Sequence, residues 1–221
     1  MKEFIKYKSF WIIGGDGWAY DIGFGGLDHV LSTHENVNIL VLDTEVYSNT
    51  GGQSSKSSPK GSVAKFTNTG KVNAKKDLAR IALSYPHVYV ATISLGANMQ
   101  QAINALNEAK NYNGPSIIIA YAPCIAQGIL KGMSNSIEEE KKATQSGYFP
   151  IFRYNPTTEK FSLDSKADFT KYKEFLGGEN RYRSLARTNR ENFEELLDNN
   201  LIDAKRRYEY YEQLNELSKE K

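Results

Sequence analysis

The chain is poor in three features: cysteine, net charge and long apolar runs. Cys124 is the one cysteine among 221 residues, which excludes an internal disulfide and a zinc site made from this chain's cysteines alone. Lys and Arg number 28 against 26 Asp and Glu, and this net charge of +2 does not indicate a nucleic-acid partner. The apolar runs at 39–42 and 117–122 fall short of the ~20 residues that cross a membrane. The basic start lacks an apolar secretory segment, so we expect a cytoplasmic protein without a membrane partner.

What the sequence does contain is an alternation of apolar strands and helical segments over its first two-thirds. Hydrophobic residues make up 40% and charged residues 24%, as in ordinary globular domains. The predicted strands are short and rich in β-branched residues, and they are 9–13, 37–42, 87–93 and 115–121. The predicted helices lie between them, at 22–32, 74–84 and 97–112. This alternation predicts an α/β fold with a doubly wound, mostly parallel sheet.

After the last of these strands, the regular alternation of strands and helices ends. A capping box from Ser136 to Glu139 predicts the start of a helix that ends at Gly147. Residues 148–161, which include two prolines, predict a strand, a turn and a second strand. A second capping box, beginning at Thr188, predicts the start of a long C-terminal helix. We therefore predict an α/β domain over 1–147 and an extension over 148–221 that packs on it.

Two loops at the carboxyl ends of predicted strands form the candidate site. In Gly14–Trp18, glycines allow a phosphate to approach the backbone, and Asp16 offers a carboxylate. Asp43–Gly52 offers hydroxyl, carbonyl and carboxamide oxygens, and such ligands suit a Mg²⁺ ion that bridges to a diphosphate. A tight turn explains the glycines of the first loop equally well. A dinucleotide-binding fingerprint is excluded, because Tyr20 stands where its third glycine is required.

Two longer strings carry a family resemblance. They are GGDGWAYDIGFGGLDHVLS and DTEVYSNTGGQSSKSSPKGSVAKF. Gly-Asp-Gly followed downstream by an Asn-containing strand end resembles the thiamine-diphosphate motif. The full strings are similar to the carboxyl-terminal part of single-chain pyruvate:ferredoxin (flavodoxin) oxidoreductases, from about Ser9 onward and most densely over 14–66. Asp43-Thr44 departs from the Asn-Asn pair of the wider thiamine family but is the form we expect in the pyruvate enzymes.

The resemblance implies oxidative decarboxylation of pyruvate with coenzyme A to acetyl-CoA and CO₂, with electrons passing through 4Fe-4S clusters to ferredoxin or flavodoxin. It implies that residues 1–147 bind thiamine diphosphate and Mg²⁺. The metal would be held by the Asp16 carboxylate, the Thr44 hydroxyl and the Val46 carbonyl, and Asn49 would also reach the pyruvate. The residues that would contact the cofactor are Gly15, Asp16, Gly17, Trp18, Thr44, Glu45, Val46, Tyr47, Ser48 and Asn49.

Cys124, taken alone, is expected to be a small buried apolar residue. The resemblance implies instead that YAPCIAQG, residues 121–128, provides the fourth ligand of the 4Fe-4S cluster nearest the thiamine. Such a cluster needs four thiolates, so the other three would come from elsewhere. We therefore expect the chain to be part of a larger enzyme and to be inactive alone; the resemblance implies that the complete enzyme is a homodimer. A carboxylate that activates the aminopyrimidine ring would also come from another domain of that enzyme.

Two alternatives remain open. One is an oxidoreductase for another 2-oxoacid, such as 2-oxoglutarate or a branched acid. The other is a thiamine-diphosphate-binding module without a redox role, which the lack of three further cysteines favours. The polar loop at 44–73 is unusually long and therefore of functional interest. Its lysines are predicted equally well to be solvated or to form a basic patch for an acidic ferredoxin or coenzyme A; they are Lys56, Lys60, Lys65 and Lys71.

Overall fold

The computed structural model describes residues 8–219, so the first residues of the basic start lie outside it. The six strands are β1 (Phe10–Gly15), β2 (Val37–Asp43), β3 (Tyr89–Ile93), β4 (Ser116–Tyr121), β5 (Phe152–Asn155) and β6 (Lys160–Leu163). They form one sheet in the order β1-β2-β4-β3-β5-β6. The first four strands pair in parallel, and β5 and β6 are antiparallel additions at the β3 edge. The predicted α/β fold with a mostly parallel sheet is confirmed.

Helices connect and cover these strands. A π-helical turn, Gly17–Ile22, follows β1 directly. The α-helices are α1 (Phe24–Ser32), α2 (Leu78–Ala82), α3 (Met99–Asn111), α4 (Ser136–Gln145), α5 (Tyr172–Gly178), α6 (Asn180–Thr188) and α7 (Phe193–Leu217). None of the helices between residues 8 and 219 combines the length and apolar character needed to cross a membrane.

The core lies on both faces of the sheet, because the central strands β3 and β4 are apolar and buried along their whole length. On one face, Leu27 of α1 and Tyr211 of α7 belong to the larger apolar cluster. On the other face, small residues of α3, including Ala102 and Ala109, allow that helix to pack closely against β3 and β4. This second layer does not cover the edge strand, where the Ile13 side chain is 63% exposed.

The predicted strand pair and long helix are both present after residue 147. The buried stripe of α7 packs against β5 and β6, with the ring centroids of Tyr211 and Phe152 4.5 Å apart. The predicted helix start at Ser136 is confirmed, because α4 begins at this residue, although the capping box does not form there: Asn135 is the N-cap and Ser136 has helical backbone angles. The second capping-box prediction is wrong, because Thr188 ends α6 and α7 begins at Phe193. Since β5 pairs with β3, the residues on either side of the predicted boundary share one sheet. The division at 147/148 stays a prediction.

Strand register positions the candidate site. Gly15, the last residue of β1, lies opposite Leu42 of the neighbouring β2. Because both strands run in the same direction, the next residues, Asp16 and Asp43, lie side by side, and Thr44 follows directly after the end of β2. The two candidate loops therefore meet at the carboxyl edge of the sheet, as expected for an open α/β fold.

Candidate functional site

Asp16 is held at the junction between β1 and the π-helical turn, with its side chain almost completely buried. π-Helical turns are rare and are frequently found at functional sites. The turn requires Gly17, because a Cβ at this position would lie 2.5 Å from the Tyr47 ring. The close approach of these two residues brings the Gly-Asp-Gly loop against the loop that follows β2.

Three oxygen atoms from the two loops converge. The Thr44 hydroxyl oxygen lies 2.7 Å from Asp16 Oδ1 and 3.0 Å from the Val46 carbonyl oxygen. A hydroxyl carries a single proton and can donate it fully to only one of these two acceptors. One of the two acceptor oxygens, Asp16 Oδ1 or the Val46 carbonyl, therefore lacks a full hydrogen bond from Thr44. A bound cation would interact favourably with all three oxygens.

This oxygen set fits Mg²⁺. A carboxylate, a hydroxyl and a carbonyl are hard ligands, and neighbouring ligand oxygens of an octahedral Mg²⁺ are ~2.9 Å apart. The Thr44 hydroxyl oxygen lies 2.7 and 3.0 Å from the other two oxygens, at hydrogen-bond distances that are also compatible with that spacing. Mg²⁺ usually takes few protein ligands and completes its shell with phosphate and water. Asp16, Thr44 and Val46, the three ligands predicted from the sequence, are thus brought together.

A cleft of about 350 Å³ opens beside these oxygens. Its walls come from the π-helical turn and from the loop after β2. Nine of the predicted cofactor-contacting residues line it, together with Leu42 and Thr50; they are Gly15, Asp16, Gly17, Trp18, Thr44, Val46, Tyr47, Ser48 and Asn49. Asn49, predicted to reach the substrate, lies at the exposed end of the loop.

Two predicted residues lie outside the lining of this cleft. The Glu45 side chain points into the protein, where it contacts Lys75, Arg181 and Tyr148. The expectation that Glu45 contacts the cofactor in this cleft is therefore not met by its side chain. Cys124 is buried behind the cleft, where its sulfur contacts the Ser48 hydroxyl and accepts a hydrogen bond from the backbone N–H of Ala126. Ser48 thus lies between the cleft and the sulfur.

The sequence analysis missed the support of Asp16. Ser55 and Ser57 donate hydrogen bonds to Asp16 Oδ2, both at 2.7 Å. The carbonyls of Ser55 and Ser58 in turn accept hydrogen bonds from the Lys71 ammonium. Burial lowers the pKa of Lys71 to about 8, and the nearby Lys75 adds to this effect. The only sequence signal was the high density of serine in the long loop.

Behind the metal-ligand loop lies a buried network of charges. The Lys75 ammonium is 2.6 Å from Asp43 Oδ2 and 2.7 Å from Glu45 Oε1, and Arg181 is 2.7 Å from Glu45 Oε2. Burial raises the pKa of Asp43 to about 6, against the effect of Lys75. Burial alone would also raise the pKa of Glu45, but Lys75 and Arg181 outweigh it and hold this pKa below its ordinary value.

The four loop lysines do not form one basic patch. Lys71 is buried under the loop, whereas Lys56 pairs with Asp21 and Lys60 pairs with Asp203 of α7. Lys65 is exposed. The structure thus does not bring the four lysines together, because the loop packs against the end of α6 and against α7. Docking of an acidic ferredoxin or of coenzyme A stays a prediction.

Comparison with known proteins defines the class. The model of the family "Thiamine pyrophosphate enzyme, C-terminal TPP binding domain" matches residues 5–120, more than half of the chain. The chain belongs to this family.

Within that class, the chain is similar to pyruvate oxidoreductases. It is 53% identical over 98% of its length to pyruvate:ferredoxin oxidoreductase of Moorella thermoacetica, and 49% identical over 96% to pyruvate-flavodoxin oxidoreductase of Klebsiella pneumoniae. It is also 52% identical over 86% to the mitochondrial pyruvate dehydrogenase [NADP(+)] of Euglena gracilis. It spans 19% of the first two relatives and 11% of the third. The resemblance inferred from the sequence is confirmed.

A solved structure supports the fold. A chain of 2-oxoglutarate:ferredoxin oxidoreductase from Magnetococcus marinus aligns with a TM-score of 0.50 and 22% identity. The alignment covers 55% of this chain and 42% of that one. At 22% sequence identity, this similarity is evidence for the fold alone.

Proposed function

We propose that the cleft binds the diphosphate of thiamine diphosphate through a Mg²⁺ ion held by Asp16, Thr44 and Val46. The single observation that carries the proposal is the convergence of their three oxygens, with the Thr44 hydroxyl within 3.0 Å of the other two, beside a cleft lined by the predicted residues. Membership of the thiamine pyrophosphate family supports the choice of ligand.

When bound, thiamine diphosphate supplies the electron sink for removing CO₂ from a 2-oxo acid. The residues of this chain bind and orient it. Asp16 contributes the negative charge to the metal, while Ser55 and Ser57 fix its carboxylate by occupying the second oxygen. Trp18 and Tyr47 form apolar walls, and Asn49 places a carboxamide at the open end for the substrate.

We further propose that the chain acts within an enzyme that converts pyruvate and coenzyme A to acetyl-CoA and CO₂. The electron pair released leaves through 4Fe-4S clusters. Pyruvate is preferred to 2-oxoglutarate because the relatives at 53% and 49% identity are named for pyruvate, whereas the 2-oxoglutarate enzyme is 22% identical. The electron acceptor is ferredoxin or flavodoxin in this proposal, although a relative at 52% identity is named for NADP(+).

Cys124 would bind one iron of a cluster. Two observations support this role. The sulfur contacts the hydroxyl of Ser48, which lines the cleft. It also accepts a hydrogen bond from the Ala126 N–H, and hydrogen bonds to sulfur are typical of cluster ligands. The other three thiolates must come from outside this chain, which has no further cysteine.

Other domains would complete the enzyme. The chain spans about a fifth of the length of its pyruvate relatives. Ile13 and Leu42, near the cleft, are 63% and 41% exposed, which suits a face that another domain covers. A homodimeric assembly and a cytoplasmic location belong to the same proposal and follow from the sequence expectations.

Titration with thiamine diphosphate, with and without Mg²⁺, tests the binding site through the fluorescence of Trp18. We expect saturable quenching that needs Mg²⁺, and at least a tenfold higher dissociation constant in Asp16→Asn, which loses the charged ligand. Asp28→Asn is the matched control, because that carboxylate lies on α1 and accepts a hydrogen bond from Tyr85. Equal Mg²⁺-dependent affinity in wild type and Asp16→Asn contradicts the proposal.

A further inference from the structure

The loop that carries two of the proposed metal ligands alternates in direction. Thr44 and Val46 turn their oxygens toward Asp16 and the cleft, whereas Asp43 and Glu45 turn their carboxylates into the protein. Each ligand of this pair therefore follows a buried carboxylate directly in the chain. Whatever holds the two carboxylates also determines where the two ligand oxygens lie.

Lys75 holds both carboxylates. Its ammonium is 2.6 Å from Asp43 Oδ2 and 2.7 Å from Glu45 Oε1, and its side chain is 11% exposed. Asp43 and Glu45 are 0% and 1% exposed, so solvent does not compete for these contacts. A single cation thus bridges the two residues that flank Thr44.

The backbone of Glu45 shows why such a contact is needed. Its φ angle is 58°, in the left-handed region that residues other than glycine rarely adopt. Strained residues of this kind persist only when their surroundings fix them, and they are concentrated at ligand clamps. Arg181 and Tyr148 hold Glu45 Oε2, while Lys75 holds Glu45 Oε1 and ties the residue to Asp43. The left-handed turn directs the next carbonyl, that of Val46, toward the Thr44 hydroxyl.

We infer that Lys75 is a positioning residue for the Mg²⁺ site: by bridging Asp43 and Glu45 from behind, it fixes the Thr44 hydroxyl and the Val46 carbonyl at metal-binding separation. This inference rests on the proposed function, because it concerns the same three oxygens. Lys75 does not contact the cleft and is not a catalytic residue.

The test is a titration of Mg²⁺ at fixed thiamine diphosphate with the full chain. We expect the dissociation constant for Mg²⁺ to rise at least tenfold in Lys75→Met. Lys76→Met is the matched control and should stay within twofold, because the Lys76 ammonium donates to the Tyr20 carbonyl and lies over the Phe24 ring. A merely structural role for Lys75 would lower the melting temperature without changing the affinity of the folded chain for Mg²⁺.

Lys75→Met leaves two buried carboxylates with less compensation and can prevent folding. The double variant Asp43→Asn with Lys75→Met removes the pair together, and we expect it to fold and still to bind Mg²⁺ at least tenfold more weakly. Wild-type affinity in either folded variant overturns the inference. If Asp16→Asn loses binding while the Lys75 variants do not, the inference alone fails; if the wild-type chain shows no Mg²⁺-dependent binding, the proposed function fails with it.

Discussion

Glu179 is a buried carboxyl at the start of α6, and its surroundings oppose its charge. Its side chain is 3% exposed, and Arg181 lies 3.1 Å from its Oε2. Burial raises the pKa of Glu179 from 4.5 to about 7; Glu139 and Glu45 add to this effect, and Arg181 opposes it. The folded state keeps this proton up to about pH 7, whereas the unfolded state loses it near pH 4.5. The contribution of Glu179 to the free energy of unfolding therefore falls as the pH rises between these two values.

We expect Glu179→Gln to remove this part of the pH dependence. A pKa change from 4.5 to about 7 corresponds to on the order of 3 kcal/mol. The free energy of unfolding of the wild type should therefore fall relative to that of the variant, by up to about this amount, as pH rises from 4.5 to 8. Denaturant unfolding at several pH values measures it. Glu138→Gln is the control, because Glu138 is 57% exposed; parallel pH curves for wild type and Glu179→Gln contradict the prediction.

At the scale of elements, α4 approaches the β3–α3 connection unusually closely at Gly96. The Gly96 N–H donates to Glu140 Oε2 at 2.8 Å. A Cβ at Gly96 would lie 2.0 Å from the Ile137 carbonyl oxygen, and this backbone atom of α4 cannot move without displacing the helix. The packing of α4 on the sheet thus depends on the absence of a side chain at one position.

Gly96→Ala should therefore lower the free energy of unfolding by about 1–3 kcal/mol, the usual cost of forcing extra volume into a packed site. Gly25→Ala is the matched control, since a Cβ there meets nothing within 4 Å and alanine favours the α1 helix by up to about 1 kcal/mol. Thermal unfolding of both variants checks the difference. A Gly96→Ala chain as stable as the Gly25→Ala chain would show that α4 adapts without cost.

The same scale shows what the sequence could predict. β1, β2, β3 and β4 were predicted within about two residues, because continuous apolar segments have few alternatives to a buried strand. α5 and α6 were missed; α6 contains few apolar residues, and it buries the charged Arg181 together with Tyr182 and Leu185. The box at Ser136 coincides with the first residue of α4, whereas the box at Thr188 lies at the end of α6, because a four-residue pattern is not specific to helix starts.

The site divides in the same way. Its cleft residues follow strand ends, so the order of strands and the Gly-Asp-Gly string were enough to bring Asp16 and Thr44 together. Ser55 and Ser57 lie in a long loop without periodicity, so their contacts to Asp16 are set only when the loop folds. Lys75 was predicted to lie in a helix over 74–84, but α2 begins only at Leu78, and the preceding irregular segment brings Lys75 to Asp43. Glu45 was assigned to the cleft because sequence adjacency does not reveal the left-handed turn that directs it inward.

At the scale of the whole molecule, the core does not divide at residue 147. One apolar cluster joins Leu78 and Ile117 to Phe152, Phe161 and Tyr211 of the C-terminal extension. In the extension, Arg181 donates a hydrogen bond to the Glu45 carboxylate. Asn200 of α7 donates a hydrogen bond to the Lys60 carbonyl in the long loop. The cleft is thus lined by residues of the first part but supported by residues of the second.

Removing residues 148–221 should accordingly abolish cooperative folding of the remaining 147 residues. The truncated chain would expose the β3 edge and the apolar face that β5 and α7 cover, and would leave Glu45 without Arg181. We expect no cooperative thermal transition by circular dichroism and no Mg²⁺-dependent quenching by thiamine diphosphate. The full chain, treated identically, is the control. A truncated chain that melts cooperatively and binds the cofactor with Mg²⁺ would show instead that residues 1–147 are a self-sufficient domain, and that the C-terminal extension is not needed for the cofactor site.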